Sequence, residues 1–173
     1  MKLYLVRHGI ATDKVGGAIT SDAKRPLTDE GKAETRQVAG GLKRLGVSPD
    51  VIFTSPLVRA QQTAEILLDV LGAAHGLKLT DALAPAGTAS DVFKAIKEFE
   101  RAGSIFLVGH EPDMGRLAAT ILWAGPEVDI QFKKAGICCI DISSVPPAAP
   151  GTLEWFIPPK LAMLMAAPNG ARA

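Results

Sequence analysis

Short apolar runs alternate along this chain with segments of helical periodicity, and that alternation limits the fold more than any other feature. Lys2 to Arg7, Asp50 to Thr54 and Ser104 to Val108 read as strands, each with a nearly unbroken apolar stretch. Such runs suit strands covered on both faces. Between them, apolar residues recur at spacings of three and four. Leu57, Ala60, Ala64, Leu67 and Leu71 share one helix face. Val92, Ile96 and Phe99 do so within a helix predicted from Ala89 to about Arg101, and Met114, Leu117 and Ile121 within one from Pro112 to Trp123. A further helix starts after Thr28 as N-cap and runs to about Leu45, where Gly46 stops it. Gly31 occupies the position that a capping box gives to Glu. A short strand is expected near Leu77 to Leu79. The pattern predicts a three-layer α/β/α sandwich around a mainly parallel sheet. Two late strands, Gly136 to Ile142 and Thr152 to Ile157, flank the Pro-rich turn Val145 to Gly151. If they pair antiparallel, the sheet is mixed.

The 173 residues suit one domain, expected over residues 1–164, with 165–173 as a loose tail of small, polar, Pro and Gly residues. Nineteen basic and eighteen acidic residues leave a net charge of +1, so bulk charge gives no reason to expect nucleic acid or a membrane surface as partner. Met1-Lys2 leads straight into a strand, with no apolar segment of signal-peptide length. The two cysteines, Cys138 and Cys139, are adjacent and would point to opposite faces of a strand, which makes a disulfide between them a poor expectation. A reducing, cytoplasmic setting is expected.

The residues suited to chemistry fall where strands end. Arg7-His8-Gly9 follows the first strand, Thr54-Ser55-Pro56-Leu57-Val58-Arg59-Ala60-Gln61-Gln62-Thr63-Ala64 the second, and Val108-Gly109-His110-Glu111-Pro112 a third. In open parallel sheets, ligands bind at the carboxyl ends of the strands. Arginine grips phosphate oxygens with a planar fork, and a neutral imidazole is a nucleophile near neutral pH. His8 is therefore the candidate nucleophile. Arg7 and Arg59 are the candidate phosphoryl clamps, Arg59 with the added field of a helix N-terminus. Arg25, in Lys24-Arg25-Pro26-Leu27-Thr28, is a second-tier phosphate contact that could equally be a solvated loop charge. The segment from Ile10 to Leu27, with Gly16-Gly17 inside it, reads as a loop over the site, and His75 as a surface residue.

Arg-His-Gly near the N-terminus, the Ser-Pro-Leu-x-Arg-Ala-x-Gln-Thr-Ala stretch and Gly-His-Glu-Pro, in that order, resemble the histidine phosphatase superfamily. The short chain and the Lys-Arg-Pro-Leu-Thr segment narrow the likeness to SixA-type phosphohistidine phosphatases, from Met1 to about Pro159. The resemblance implies a phosphoglycerate-mutase-like fold and a covalent phosphohistidine on His8. It also implies that His110 binds the phosphoryl group as a charged donor, with no cofactor and no metal. The implied partner is a phosphohistidine-containing protein or a small phosphoramidate. No P-loop or dinucleotide fingerprint is present, and three histidines without a ligand cluster give no metal-site pattern.

One departure bears on substrate. Many members of the superfamily carry a Glu after the third strand, in a Leu-x-Glu context, to protonate a leaving alkoxide. Here Leu83-Ala84 is followed by Pro85. Loss of a general acid slows ester cleavage by roughly 10²–10⁴, whereas a leaving imidazole needs little proton donation. The missing acid thus favours phosphohistidine over a phosphoester. Glu111 and Asp81 are the candidate substitute donors, although Glu111 also reads as a helix N-terminal charge and Asp81 as a turn residue. Two alternatives stay open: a small-molecule phosphoester phosphatase of the same superfamily, and a non-catalytic phosphate-binding adaptor.

Overall fold

The computed structural model describes residues 1–13, 19–123, 128 and 130–166. Six strands form one sheet in the order β3-β2-β4-β1-β5-β6, with β1 Lys2–Arg7, β2 Val51–Thr54, β3 Leu77–Leu79, β4 Ser104–Gly109, β5 Ile137–Asp141 and β6 Thr152–Ile157. The first four run parallel. β5 pairs antiparallel with β1, and β6 antiparallel with β5, so the sheet is mixed. Five helices cover it: α1 Asp29–Arg44, α2 Val58–Leu71, α3 Ala89–Ile96, α4 Asp113–Ile121 and α5 Pro159–Ala166.

Strand alternation divides the core in two. Leu3, Leu5, Ile105 and Leu107 face α3 and α4 together with Val92, Ile96 and Leu117. Tyr4, Val6, Phe106 and Val108 face the opposite layer with Val38, Leu42, Ala64 and Ala162. Cys138 and Cys139 are unpaired and take opposite sides in the same way. Burial pushes the Cys138 thiol up to about 12. This is the predicted α/β/α sandwich.

Three boundaries differ from expectation. The helix predicted to Arg101 ends as α-helix at Ile96 and tightens into a 3-10 turn at Lys97–Phe99. The helix predicted from Pro112 to Trp123 spans Asp113–Ile121. α5 was not anticipated, and it carries Met165 and Ala166 into what was read as tail; the rest of that tail, like Gly16-Gly17, lies outside the described residues. Composition hid this helix because what holds it is contact rather than capping. A Cβ on Gly41 of α1 would sit 2.0 Å from the Ala162 carbonyl oxygen, so only glycine lets the two helices approach. No helix among the described residues is long and apolar enough to cross a membrane.

Candidate active site

Sheet register builds the site. Arg7 on β1 lies level with Gly109 on β4, and Val108 lies level with Thr54 on β2. The next residues, His8, His110 and Ser55, therefore leave three adjacent strands at one end. The ladder continues one step further: the His8 N–H donates to the Gly109 carbonyl at 3.0 Å and the Ser55 N–H to Val108 at 3.0 Å. The imidazoles of His8 and His110 come to rest 5.1 Å apart, centroid to centroid. Both are buried, as is Arg59 in the first turn of α2.

Hydrogen bonds fix the state of His8. Its Nδ1 is 2.8 Å from the Gly9 carbonyl oxygen, which can only accept, so Nδ1 carries the proton. Nε2 receives Arg59 Nε–H at 3.3 Å and is the unprotonated nitrogen. Burial, together with His110, Arg59 and Arg7, pushes the imidazole down to about 3, against the upward pull of the Gly9 carbonyl. His8 is thus a neutral ring with its basic nitrogen facing the guanidinium of Arg59.

His110 is held differently. Its Nε2 lies 2.8 Å from Ser55 Oγ, and that hydroxyl accepts from Leu57 N–H at 3.2 Å. The hydroxyl keeps a proton and a second lone pair, so it can serve either tautomer of the ring. Nδ1 is buried without a partner, as is Arg7 Nε. Buried polar atoms are rarely left unpaired, and these two belong to residues at the same end of the sheet. Burial, then Arg59, pushes His110 down to about 4. That lowering favours the neutral ring in the free cleft, whereas the expectation was of a charged donor to a bound phosphoryl group.

Arg7 NH1 donates to the Phe132 carbonyl at 2.6 Å, and the Phe132 N–H donates to Glu111 Oε1 at 2.7 Å. Burial lowers the Arg7 pKa, and Glu111 raises it. A cleft of about 350 Å³ is lined by Arg7, Glu111, Pro112, Gln131, Phe132 and Lys133. Glu111 thus lies beside the site. Asp81 is exposed at the start of a 3-10 turn, Asp81–Leu83, and the carboxylates acting on His110 are Asp22 and Asp113. Pro85 is exposed, and the neighbouring Ala86 N–H is held by Asp113 Oδ2 at 2.9 Å. His75 is exposed, as expected.

Several residues outside the predicted set hold the site in place. Thr63 Oγ1 accepts from Gly9 N–H at 3.0 Å and donates to the Arg59 carbonyl at 2.7 Å, tying the loop after His8 to the helix of Arg59. Gln62 Oε1 accepts from Leu27 N–H at 2.8 Å. Ser55, Gln62 and Thr63 all stand in the motif after β2, so their positions were visible in the sequence and their partners were not. Gly31 explains the missing capping-box Glu: a Cβ there would lie 2.0 Å from the Ile10 carbonyl oxygen, so α1 meets the loop after His8 only through glycine. Thr28 still caps α1, accepting from Gly31 N–H at 2.9 Å.

Arg25 does not reach His8 directly. Its Nε donates to the Thr12 carbonyl at 2.6 Å and its NH1 to Asp22 Oδ1 at 2.8 Å. The other oxygen of Asp22 accepts from Arg59 NH2 at 3.0 Å, and its backbone carbonyl from Arg59 NH1 at 2.8 Å. Nothing in the sequence singled out Asp22.

Known proteins resemble this chain in sequence and fold. Residues 3–84 match the model of the histidine phosphatase superfamily (branch 1). An uncharacterised protein of Picosynechococcus sp. is 40% identical over 139 residues, covering 79% of this chain and 82% of its own length. The chain belongs to the histidine phosphatase superfamily. Phosphohistidine phosphatase SixA of Escherichia coli is 28% identical over 161 residues, covering 92% of this chain and 94% of the relative. The solved structure of the protein histidine phosphatase SixA with tungstate superposes with a TM-score of 0.81 at 27% identity, covering 93% of this chain and 99% of that one. An alpha-ribazole-5'-P phosphatase from Escherichia coli shares the fold at a TM-score of 0.71 and 20% identity, with coverages of 90% and 95%. In this chain Arg59, beside the two strand-end histidines, is engaged by a loop aspartate.

Proposed function

We propose that the protein is a phosphohistidine phosphatase working through a covalent phosphohistidine on His8. The observation that carries this reading is the His8 ring itself: Nδ1–H is spent on the Gly9 carbonyl, and Nε2 is left basic among Arg7, Arg59 and His110. In the first step Nε2 attacks phosphorus, a new P–N bond forms, and the bond to the substrate's imidazole breaks. The leaving imidazole keeps the electron pair and takes a proton from water. In the second step water attacks phosphorus, the P–Nε2 bond breaks, and inorganic phosphate leaves with His8 restored. Arg7, Arg59 and a ring N–H of His110 stabilise the charge on the equatorial oxygens. The Gly9 carbonyl stabilises the positive ring that exists while Nε2 carries phosphorus.

Pro85 stands where an ester-cleaving relative would carry its acid, which supports a substrate whose leaving group needs little protonation. A protein or small phosphoramidate in a reducing cytoplasm fits this reading. Arg7 and Arg59 supply the charge that Mg²⁺ supplies in other phosphoryl transferases, so turnover should persist in EDTA. A second reading, phosphoester hydrolysis, is favoured by one feature: Glu111 lines the same cleft as Arg7. The deciding experiment is ³²P trapping of the enzyme with phosphohistidine protein, phosphoramidate and alkyl phosphate as donors, using wild type, His8→Ala and Glu111→Gln. Labelling lost in His8→Ala and kcat/KM at least about a hundredfold higher for P–N substrates support the proposal. Equal turnover of alkyl phosphates, lost in Glu111→Gln, overturns it in favour of the second reading.

A further inference from the structure

Asp22 sits where a phosphoryl group would be expected to dock. Its carboxylate and backbone carbonyl take both terminal nitrogens of Arg59, at 3.0 and 2.8 Å. Its second carboxylate oxygen takes Arg25 NH1 at 2.8 Å. Arg59 in turn donates through Nε to the nucleophilic Nε2 of His8 at 3.3 Å. A chain therefore runs from Asp22 through Arg59 to His8, with the aspartate 57% exposed and the arginine 7%. A guanidinium has five N–H donors in a fixed fork. With Nε on His8 and one N–H of each terminal nitrogen on Asp22, a phosphoryl group that takes this fork competes with the aspartate for it. One carboxylate also repels a phosphoryl dianion that shares its arginine.

We infer that Asp22 is an internal competitor for the phosphoryl site: it holds Arg59 and Arg25 in the free enzyme, is displaced when the phosphoryl group binds, and returns to expel inorganic phosphate. This rests on the cleft being a phosphoryl site, and it deepens that reading by assigning product release to a residue of the loop. Asp22 lies one turn from Arg25, on the 3-10 turn Asp22–Lys24, so a single swing of this exposed segment moves both contacts. The device suits a phosphatase whose product is also an anion. Arginines strong enough to bind the transition state would otherwise hold phosphate too, and a nearby carboxylate shortens that residence.

The test is titration calorimetry of inorganic phosphate into the full chain, as wild type, Asp22→Asn and Asp22→Ser. Both variants are expected to bind phosphate about three- to tenfold tighter at low ionic strength. The gain should shrink near 1 M salt, where the screening length is about 3 Å. Inhibition of turnover by phosphate should strengthen by the same factor, with kcat unchanged or lower. Unchanged or weaker phosphate binding in folded variants overturns the inference. Should neither variant fold, the wild-type Asp22 carboxylate is followed by ¹³C NMR: a signal that moves on phosphate saturation supports displacement, and one that stays fixed overturns it. Phosphate binding is read without turnover, so the two proposals fail separately. A phosphoenzyme with no change in phosphate affinity sinks only the competitor. Tighter phosphate binding without a phosphoenzyme sinks only the covalent mechanism.

Discussion

The floor and the rim of this cleft are built by different means. The floor, made of Arg7, His8, Ser55, Arg59 and His110, is laid down by the register of three parallel strands and the first turn of α2. Its side chains are mostly buried, and apart from Arg59, which also meets the Asp22 carboxylate, its bonds run to backbone carbonyls, a hydroxyl and an imidazole. The rim, made of Thr12, Asp22 and Arg25, is loop, and its bonds are charged and partly exposed. A buried floor keeps donors aimed without reorganisation, which is what transition-state stabilisation requires. An exposed ion pair is weak and exchangeable, which is what a group that must yield to substrate requires.

The comparison breaks if the floor tolerates change. His8→Ala should lower turnover at least about a thousandfold with the fold intact, because no other group can carry the phosphoryl intermediate. Residual turnover within tenfold of wild type by steady-state assay would dismiss the covalent route. Arg59→Lys should lose roughly a hundredfold in kcat/KM, since an ammonium replaces the fork by a single point charge. A loss confined to KM would show that Arg59 binds substrate and transition state alike.

Thr63→Val separates floor from rim by stability. It strands the buried Gly9 N–H and should cost about 1–3 kcal/mol in denaturant unfolding. Gln62→Ala strands Leu27 N–H, whose bond is only partly buried, and should cost less; equal costs would erase the distinction. The histidines sharpen the comparison further. Native His8 and His110 stay neutral down to about 3 and about 4, whereas the ordinary value is 6.5. Between pH 6.5 and 4 the unfolded chain therefore binds more protons, so stability falls as pH falls, by up to about 1.4 kcal/mol per pH unit for each ring. His8→Asn should flatten that slope in acid-unfolding curves. The smallest effect is expected at the rim: Arg25→Ala should raise KM about two- to fivefold and leave kcat nearly unchanged.

The strands, four of the five helices and the motifs at strand ends follow from periodicity and residue type. Both are local properties, and the chain displays them directly. Arg7, His8, Arg59 and His110 were legible for the same reason: each stands next to a readable strand end. α5 was not, because its place depends on Gly41 meeting Ala162, a contact between residues far apart in sequence. The protonation of the two buried histidines was not legible either. Sequence names an imidazole, but only burial and the Gly9 carbonyl, Ser55 and guanidinium partners decide that it stays neutral. Asp22 is the sharpest case. In the chain it is one acidic loop residue among several, and only the folded structure sets its carboxylate on Arg59. Composition and pattern determined what could be made and where the chemistry would gather; long-range packing decided the charge state of each group and which of them compete.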